Sequence, residues 1–316
     1  MKRAIIVIFC SLAVIISGFV GADHYVTHLY HELETSPYGG WNDIFHKEIN
    51  SDYIIMGSSR AYAQFNPAIL DSILNINSYN LGYNGRQVRS QLLKYKIYRT
   101  EQTHKPKVIL YELSPYSFSS YKKYESFQFV PYLHKKTMWN TFHEIEGFTW
   151  TDKYVPYWRY RNYKNEIRRI RRGTSPYCKD KYKTYKGFCS FDYHWNNKFD
   201  STETLYYLHN KKTIQAFNQF INECEKDDIK VIFILSPYYI KATENIKNKE
   251  LMHQQIEKIA MKHQIPILDY TQHPISYDTA YFYNYSHLNR KGYKPKYIAR
   301  SITPYAYAKL RNKGGN

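Results

Sequence analysis

Residues 4–22 read AIIVIFCSLAVIISGFVGA, nineteen positions without a charge. As a helix they would cover about 28 Å, the depth of a bilayer's hydrocarbon core. Lys2 and Arg3 precede the run, and Asp23 and His24 follow it. The positive flank belongs on the cytoplasmic side, which puts the rest of the chain outside the cytoplasm. The run ends in Val20-Gly21-Ala22, small residues of the kind found at signal-peptide cleavage sites. An uncleaved anchor is the favoured expectation, with a removed leader as the alternative. The expected location is the cell inner membrane, crossed once, with the bulk periplasmic or extracytoplasmic.

That placement governs how the charge is read. Lys and Arg outnumber Asp and Glu by 45 to 27, a net charge of +18, and they are spread along the chain. Outside the cytoplasm a nucleic-acid partner is not expected. Anionic envelope polymers or lipid headgroups suit the charge better. Hydrophobic residues make up 43 %, enough for a sizeable core, which excludes wholesale disorder. Tyr is over-represented at 35 copies, either through AT-rich codon usage or as rings for stacking on sugars. Cys178 and Cys189 stand eleven apart in a polar stretch and are expected to form a disulfide in an oxidising compartment. Cys224 shares a helical face with Phe217 and Ile221 and reads as a buried thiol. No metal-ligand spacing occurs, and neither a metal nor another cofactor is expected.

Past the anchor, strand-like and helix-like segments alternate. Strands are expected at 53–56, 78–81, 107–113, 230–235 and 265–270. Helices are expected at 67–74, 86–100, 204–226, 248–263 and 290–301. Asn66 followed by Pro67 is a helix-start signal. Such alternation implies a parallel sheet covered on both faces, with its site at the C-terminal strand ends. The segment from 116 to about 200 breaks the pattern. It is rich in aromatic and basic residues, including Arg159, Arg161, Arg168, Arg169, Arg171 and Arg172. It reads as an insertion whose charge is either a solvated face or a lid for an anionic or sugar substrate. The expected domains are 1–22 as anchor or signal, 23–49 as linker, and 50–316 as one α/β domain with the insertion at about 116–200.

Two short stretches carry candidate chemistry. Gly57-Ser58-Ser59-Arg60 follows the first strand, and Asn284-Tyr285-Ser286-His287-Leu288-Asn289, then Gly292, lies near the end. Between them stands Asn80-Leu-Gly-Tyr-Asn-Gly85. In this order the three resemble the motif blocks of the SGNH/GDSL hydrolase superfamily. With the apolar N-terminus, the chain looks most like its membrane-anchored envelope branch, similar to polysaccharide O-acetyltransferases and the D-alanine transfer protein of teichoic acids. The resemblance covers 50–115 and 202–302. It implies a three-layer α/β/α, flavodoxin-like parallel sheet with an N-terminal membrane helix and a large insertion. It makes Ser59 the nucleophile, His287 the general base, and the backbone amides of Ser59 and Gly85 the oxyanion donors. Ser58 is the alternative nucleophile if the turn is shifted. Two positions depart from the family. Tyr116 falls near the place of an oxyanion Asn, and Asn284 stands where an acid is expected. Asp278 and Asp269 are alternative carboxylates.

The resemblance implies extracytoplasmic O-acyl transfer, of an acetyl group, to an envelope or exopolysaccharide through a Ser-His acyl-enzyme. A multi-span membrane O-acyltransferase would supply the acyl group. Two alternatives stand beside this reading. One is a carbohydrate esterase. The other is a catalytically degenerate domain that binds polysaccharide or an assembly partner.

Overall fold

The computed structural model describes residues 1–120, 126–191, 193, 195 and 206–293. In chain order its helices and strands are α1 (Lys2–His31), α2 (Tyr38–His46), β1 (Tyr53–Met56), α3 (Ser59–Gln64), α4 (Pro67–Leu74), β2 (Ser78–Asn80), α5 (Val88–Glu101) and β3 (Val108–Leu113). Then come α6 (Lys136–Glu146), α7 (Trp150–Tyr154), α8 (Lys164–Arg171), α9 (Lys211–Lys226), β4 (Lys230–Leu235) and α10 (Ile240–Glu244). The last are α11 (Lys249–Lys262), β5 (Ile267–Asp269), β6 (Phe282–Asn284), β7 (His287–Leu288) and α12 (Arg290–Tyr293). The chain divides into two units: Met1–Lys47 with Lys122–Lys183, and Glu48–Tyr121 with Thr184–Asn316.

The second unit is the α/β part. Its five parallel strands run in the order β2-β1-β3-β4-β5, the doubly wound arrangement. β1, β3 and β4 are apolar apart from Lys230 at the start of β4 and the buried Glu112 in β3, because both faces are covered. On one face Ile55, Leu110, Ile232 and Ile234 pack with Ala61, Phe65, Leu70 and Leu74 of α3, α4 and the link between them. On the other face Tyr111 and Phe233 meet Phe217 of α9, and Phe220 of α9 meets Tyr95 of α5. The three layers and the parallel sheet match the architecture expected from the sequence. The strand order reverses between β1 and β3, and Gly57 to Ser59 sit at that switch point.

The first unit is helical and aromatic. α1 runs unbroken for 30 residues, so about 45 Å. Its apolar part is fully exposed, while Val26, Thr27 and Tyr30 are buried. Thr27 Oγ1 is 2.7 Å from the Tyr160 hydroxyl, and Arg159 donates to Asp23 Oδ2 at 2.6 Å. Trp41, Phe129 and Phe142 form the centre, with Phe129 and Phe142 stacked at 4.1 Å. Tyr132 is buried among them and donates to Asn42 Oδ1 at 2.6 Å. Tyr132 and Tyr160 thus serve here as core residues with satisfied polar tips.

Several expectations differ from these observations. The stretch 23–49 is no bare linker: it carries the end of α1 and all of α2, clustered with Lys122–Lys183. Residues 206–210 are not helical, and Asn210 caps α9 through Thr213 N at 3.1 Å. Helix 290–301 is seen only as α12, and its remainder lies outside the described residues, as do 121–125, 192, 194 and 196–200 of the insertion and 204–205 of the helix expected at 204–226. The expected disulfide is absent: Cys178 and Cys189 are free thiols. Cys178 Sγ contacts the Ile170 carbonyl at 3.8 Å, while Cys189 is buried with Tyr62 and Ala63. Of the six arginines, Arg159 and Arg161 pair with Asp23 and Asp152, whereas Arg168, Arg169, Arg171 and Arg172 are exposed at α8 and its end, Arg169 with a surface ion pair to Glu166 at 3.3 Å.

Candidate active site

The turn after β1 is shaped by one glycine. Gly57 has φ +142°, and a Cβ there would lie 2.7 Å from Ala61 Cβ and 2.8 Å from Glu112 Cβ. Any side chain would therefore push β3 and α3 apart. Ser58 caps α3: its hydroxyl accepts from Arg60 N at 3.4 Å and donates to Glu112 Oε2 at 3.2 Å. That engagement removes Ser58 as the nucleophile. Ser59, the first residue of α3, is left with its hydroxyl pointing to His287.

His287 opens β7, which pairs antiparallel with β6. Its Nε2 is 2.7 Å from Ser59 Oγ, and its Nδ1 is 3.0 Å from Asn284 Oδ1 and 2.9 Å from Ser286 Oγ. Asn284 Oδ1 also accepts the backbone N–H of Ser286 at 3.0 Å and of His287 at 2.9 Å. Two fixed N–H donors require an acceptor at that place, so the amide oxygen, and not its NH₂, faces the ring. The network therefore assigns the proton to Nδ1 and the lone pair to Nε2. Ser59 Oγ–H then donates to Nε2, the arrangement a general base requires. Asp278 and Asp269 do not supply a carboxylate to His287: each caps its own turn, through Ala280 N and Thr271 N, both at 2.8 Å.

The charges near the site are buried ones. Arg60 Nη1 lies 3.5 Å from Glu112 Oε1, and neither side chain is more than 3 % exposed. Arg60 Nη2 donates to the carbonyls of Ser236 and Pro237, and the guanidinium lies over the Tyr238 ring at 3.8 Å. Burial raises the Glu112 carboxyl above the usual range against the pull of Arg60. Burial, with the charge of Arg60 added, pulls His287 down to about 3. The imidazole is thus neutral at ordinary pH. Sequence reasoning missed Arg60 and Glu112 as site residues. The available signal was an Arg directly after the candidate Ser and a lone Glu inside an apolar strand.

Asn80 ties the second block to the first. Its Nδ2 donates to the carbonyls of Ala61 and Phe65 at 2.8 and 2.9 Å, and its Oδ1 accepts Gly82 N at 2.8 Å. The loop continues to Gly85, exposed at φ +69°. Among the described residues no group accepts from the backbone N–H of Ser59 or of Gly85. Tyr116 lies in the turn after β3, which is closed by Ser117 N donating to Ser114 O at 3.0 Å. Tyr283 stacks on His287 at 5.1 Å, and Phe191 and Tyr193 meet Tyr283 edge-on. Among the described residues no three His, Cys, Asp or Glu side chains converge with metal-binding geometry.

No family model and no curated protein sequence matches the chain. Solved structures do match it. One is a protein provisionally described as an acylhydrolase from Bacteroides fragilis, 10 % identical, with a TM-score of 0.43 over 89 % of this chain and 98 % of that one. A second is an acetyl xylan esterase, 12 % identical, TM-score 0.38, over 80 % and 98 %. A third, from Streptococcus pneumonia, is provisionally described as a platelet activating factor, 9 % identical, TM-score 0.41, over 94 % and 99 %.

Proposed function

We propose that this chain is a membrane-anchored enzyme that transfers an acyl group, acetyl, to an extracytoplasmic polysaccharide through an acyl-enzyme on Ser59. The observation that carries the reading is the Ser59 Oγ to His287 Nε2 separation of 2.7 Å, with Nδ1 oriented by Asn284. His287 Nε2 takes the Ser59 proton as Oγ bonds to the acyl carbonyl carbon. The resulting oxyanion is held by the N–H groups of Ser59 and Gly85. As the tetrahedral intermediate collapses, Nε2 returns the proton to the departing donor oxygen. A sugar hydroxyl then gives its proton to Nε2, attacks the acyl-Ser59 ester and leaves acylated, while Ser59 regains its hydrogen.

A multi-span O-acyltransferase as acyl donor and a single-pass location in the inner membrane belong to the same reading. In support of the anchor, α1 runs without a break through the candidate cleavage site at Ala22 and buries Val26 and Tyr30 beyond it. Water in place of the sugar hydroxyl makes the same machinery an esterase. The test is labelling by a fluorophosphonate probe and, on separate unlabelled protein, incubation with an activated acetyl ester as donor and with polysaccharide. Ser59 should label and Ser59→Ala should not. Acyl appearing on polymer supports transfer, and free acid alone supports the esterase. An unlabelled wild-type protein would leave the degenerate binding domain.

A further inference from the structure

The first unit holds a cavity of about 440 Å³ where α1 leaves its apolar run. Val20 and Asp23 of α1 line it, with Thr27, His28 and His31 further along, and Lys153 and Arg159 reach it from the insertion. Val20 belongs to the uncharged run and Asp23 is the first charge after it, so the cavity sits at the level where an anchor meets the headgroups. The segment that supplies Lys153 and Arg159 also exposes three large aromatics, Trp150 at 66 %, Tyr154 at 67 % and Trp158 at 46 %. Exposed Trp and Tyr at this depth are the residues of a membrane-interface belt.

We propose that this cavity is a binding site for the phosphate headgroup of an anionic phospholipid. Its donors fit that chemistry. Lys153 lines the cavity, its Nζ lies 5.0 Å over the rings of both Trp139 and Tyr154, and among the described residues no acid pairs with it. Arg159 is 6 % exposed; its Nη2 is engaged by Asp23 and Thr27, while its Nε is buried with no partner among the described residues. The buried His31 Nε2 is likewise unpartnered. Asp23, the one acid in the lining, is neutralised by Arg159, so Lys153 leaves the cavity net cationic. A lipid phosphodiester would accept from Lys153 Nζ and Arg159 Nε while its glycerol faces Val20.

The inference rests on the anchor reading. The full-length protein, in neutral detergent, is titrated with phosphatidylglycerol, phosphatidylcholine or inorganic phosphate while its melting temperature is followed. Phosphatidylglycerol should stabilise it saturably, and Lys153→Gln should weaken the half-saturation at least about fivefold. Arg168→Gln, at an exposed arginine of α8, should not. Equal stabilisation by phosphatidylcholine would overturn the proposal. So would inorganic phosphate saturating through Lys153, which would make the cavity a site for soluble phosphate. An unchanged Lys153→Gln response overturns it too. The N-terminal sequence of the mature protein separates the two readings. A start at Asp23 removes the anchor, whereas an intact anchor without lipid preference removes only this site.

Discussion

Asn284 Oδ1 lies 3.0 Å from His287 Nδ1 and is locked there by the backbone N–H groups of residues 286 and 287. It supplies the orientation of a triad acid without the charge. In a serine protease, Asp to Asn at the comparable place costs about 10⁴ because the tautomer is lost. Here the tautomer is kept and only the charge is missing. Asn284→Asp is therefore expected to raise turnover of a simple ester by about tenfold, and Ser59→Ala in that background should abolish the gain. Asp278→Asn should change neither. Ester hydrolysis by the purified variants is the measurement, and loss of activity in Asp278→Asn would reassign the acid.

The same pair sets the pH response. A base must be neutral to accept the Ser59 proton, and His287 is held down to about 3. The labelling rate of Ser59 should stay level from pH 8 to about 5, well below the unperturbed histidine value. In Asn284→Asp the added carboxylate favours the imidazolium, so the acid limb should move up toward neutral. A wild-type limb near 6.5 would mean that His287 is solvated and not enclosed.

Glu112 and Arg60 share one buried environment, so removing either partner strands the other. Glu112→Ala is expected to cost about 3–5 kcal/mol in urea unfolding. The double change Glu112→Leu with Arg60→Met should recover much of that loss while leaving Ser59 poorly placed. Additive losses in the double variant would show that the two charges are not coupled.

Gly57→Ala tests the turn. The added methyl meets Glu112 and Ala61 at under 3 Å, in a conformation that side chains rarely adopt. Ser59 labelling should fall at least about a hundredfold, whereas Gly173→Ala, which shares the positive φ (+67°) but has open space around its Cβ position and lies in the other unit, should leave labelling unchanged.

His31, His46 and His134 form a second group with a pH signature. The rings of His31 and His46 are 4.3 Å apart, and those of His31 and His134 are 6.2 Å apart. Burial foremost, with neighbouring positive charge, pulls His31 and His134 down to about 4 and lowers His46. Between about pH 6.5 and 4 the unfolded chain binds protons that the folded unit does not, so stability falls as pH falls. Hydrogen-exchange protection of peptides 126–160 should drop across that window, and less steeply in His134→Gln. Level protection down to pH 4 would contradict the folded-state shifts.

Legibility in the sequence followed physical signal strength. β1, β3 and β4 were readable because a strand buried on both faces carries a nearly continuous apolar run, broken here only by Lys230 and Glu112. α4 was readable from its Asn66-Pro67 start. α3 and the β6–β7 hairpin were not, since six residues and five residues carry no measurable period. The Ser59–His287 pair was visible only through motif order, because 228 positions separate the two residues. Arg60 and Glu112 went unseen because burial, not sequence, makes their pairing consequential. The Cys178–Cys189 expectation failed because spacing along the chain says nothing of where two thiols point. The insertion's partner in space was the stretch after the apolar run, a pairing no local pattern encodes.

On the anchor reading proposed above, the unbroken α1 makes the attachment a post and not a leash. A flexible tether lets a domain tumble and sample a hemisphere above the lipid. A helix gripped by Arg159 at Asp23 and by Tyr160 at Thr27, within about a turn and a half of its apolar run, transmits its own tilt and rotation to the first unit. Rotation of the span about its axis would swing that unit with it. Inserting or deleting a single residue near Gly21 would turn the unit by about 100° relative to the span.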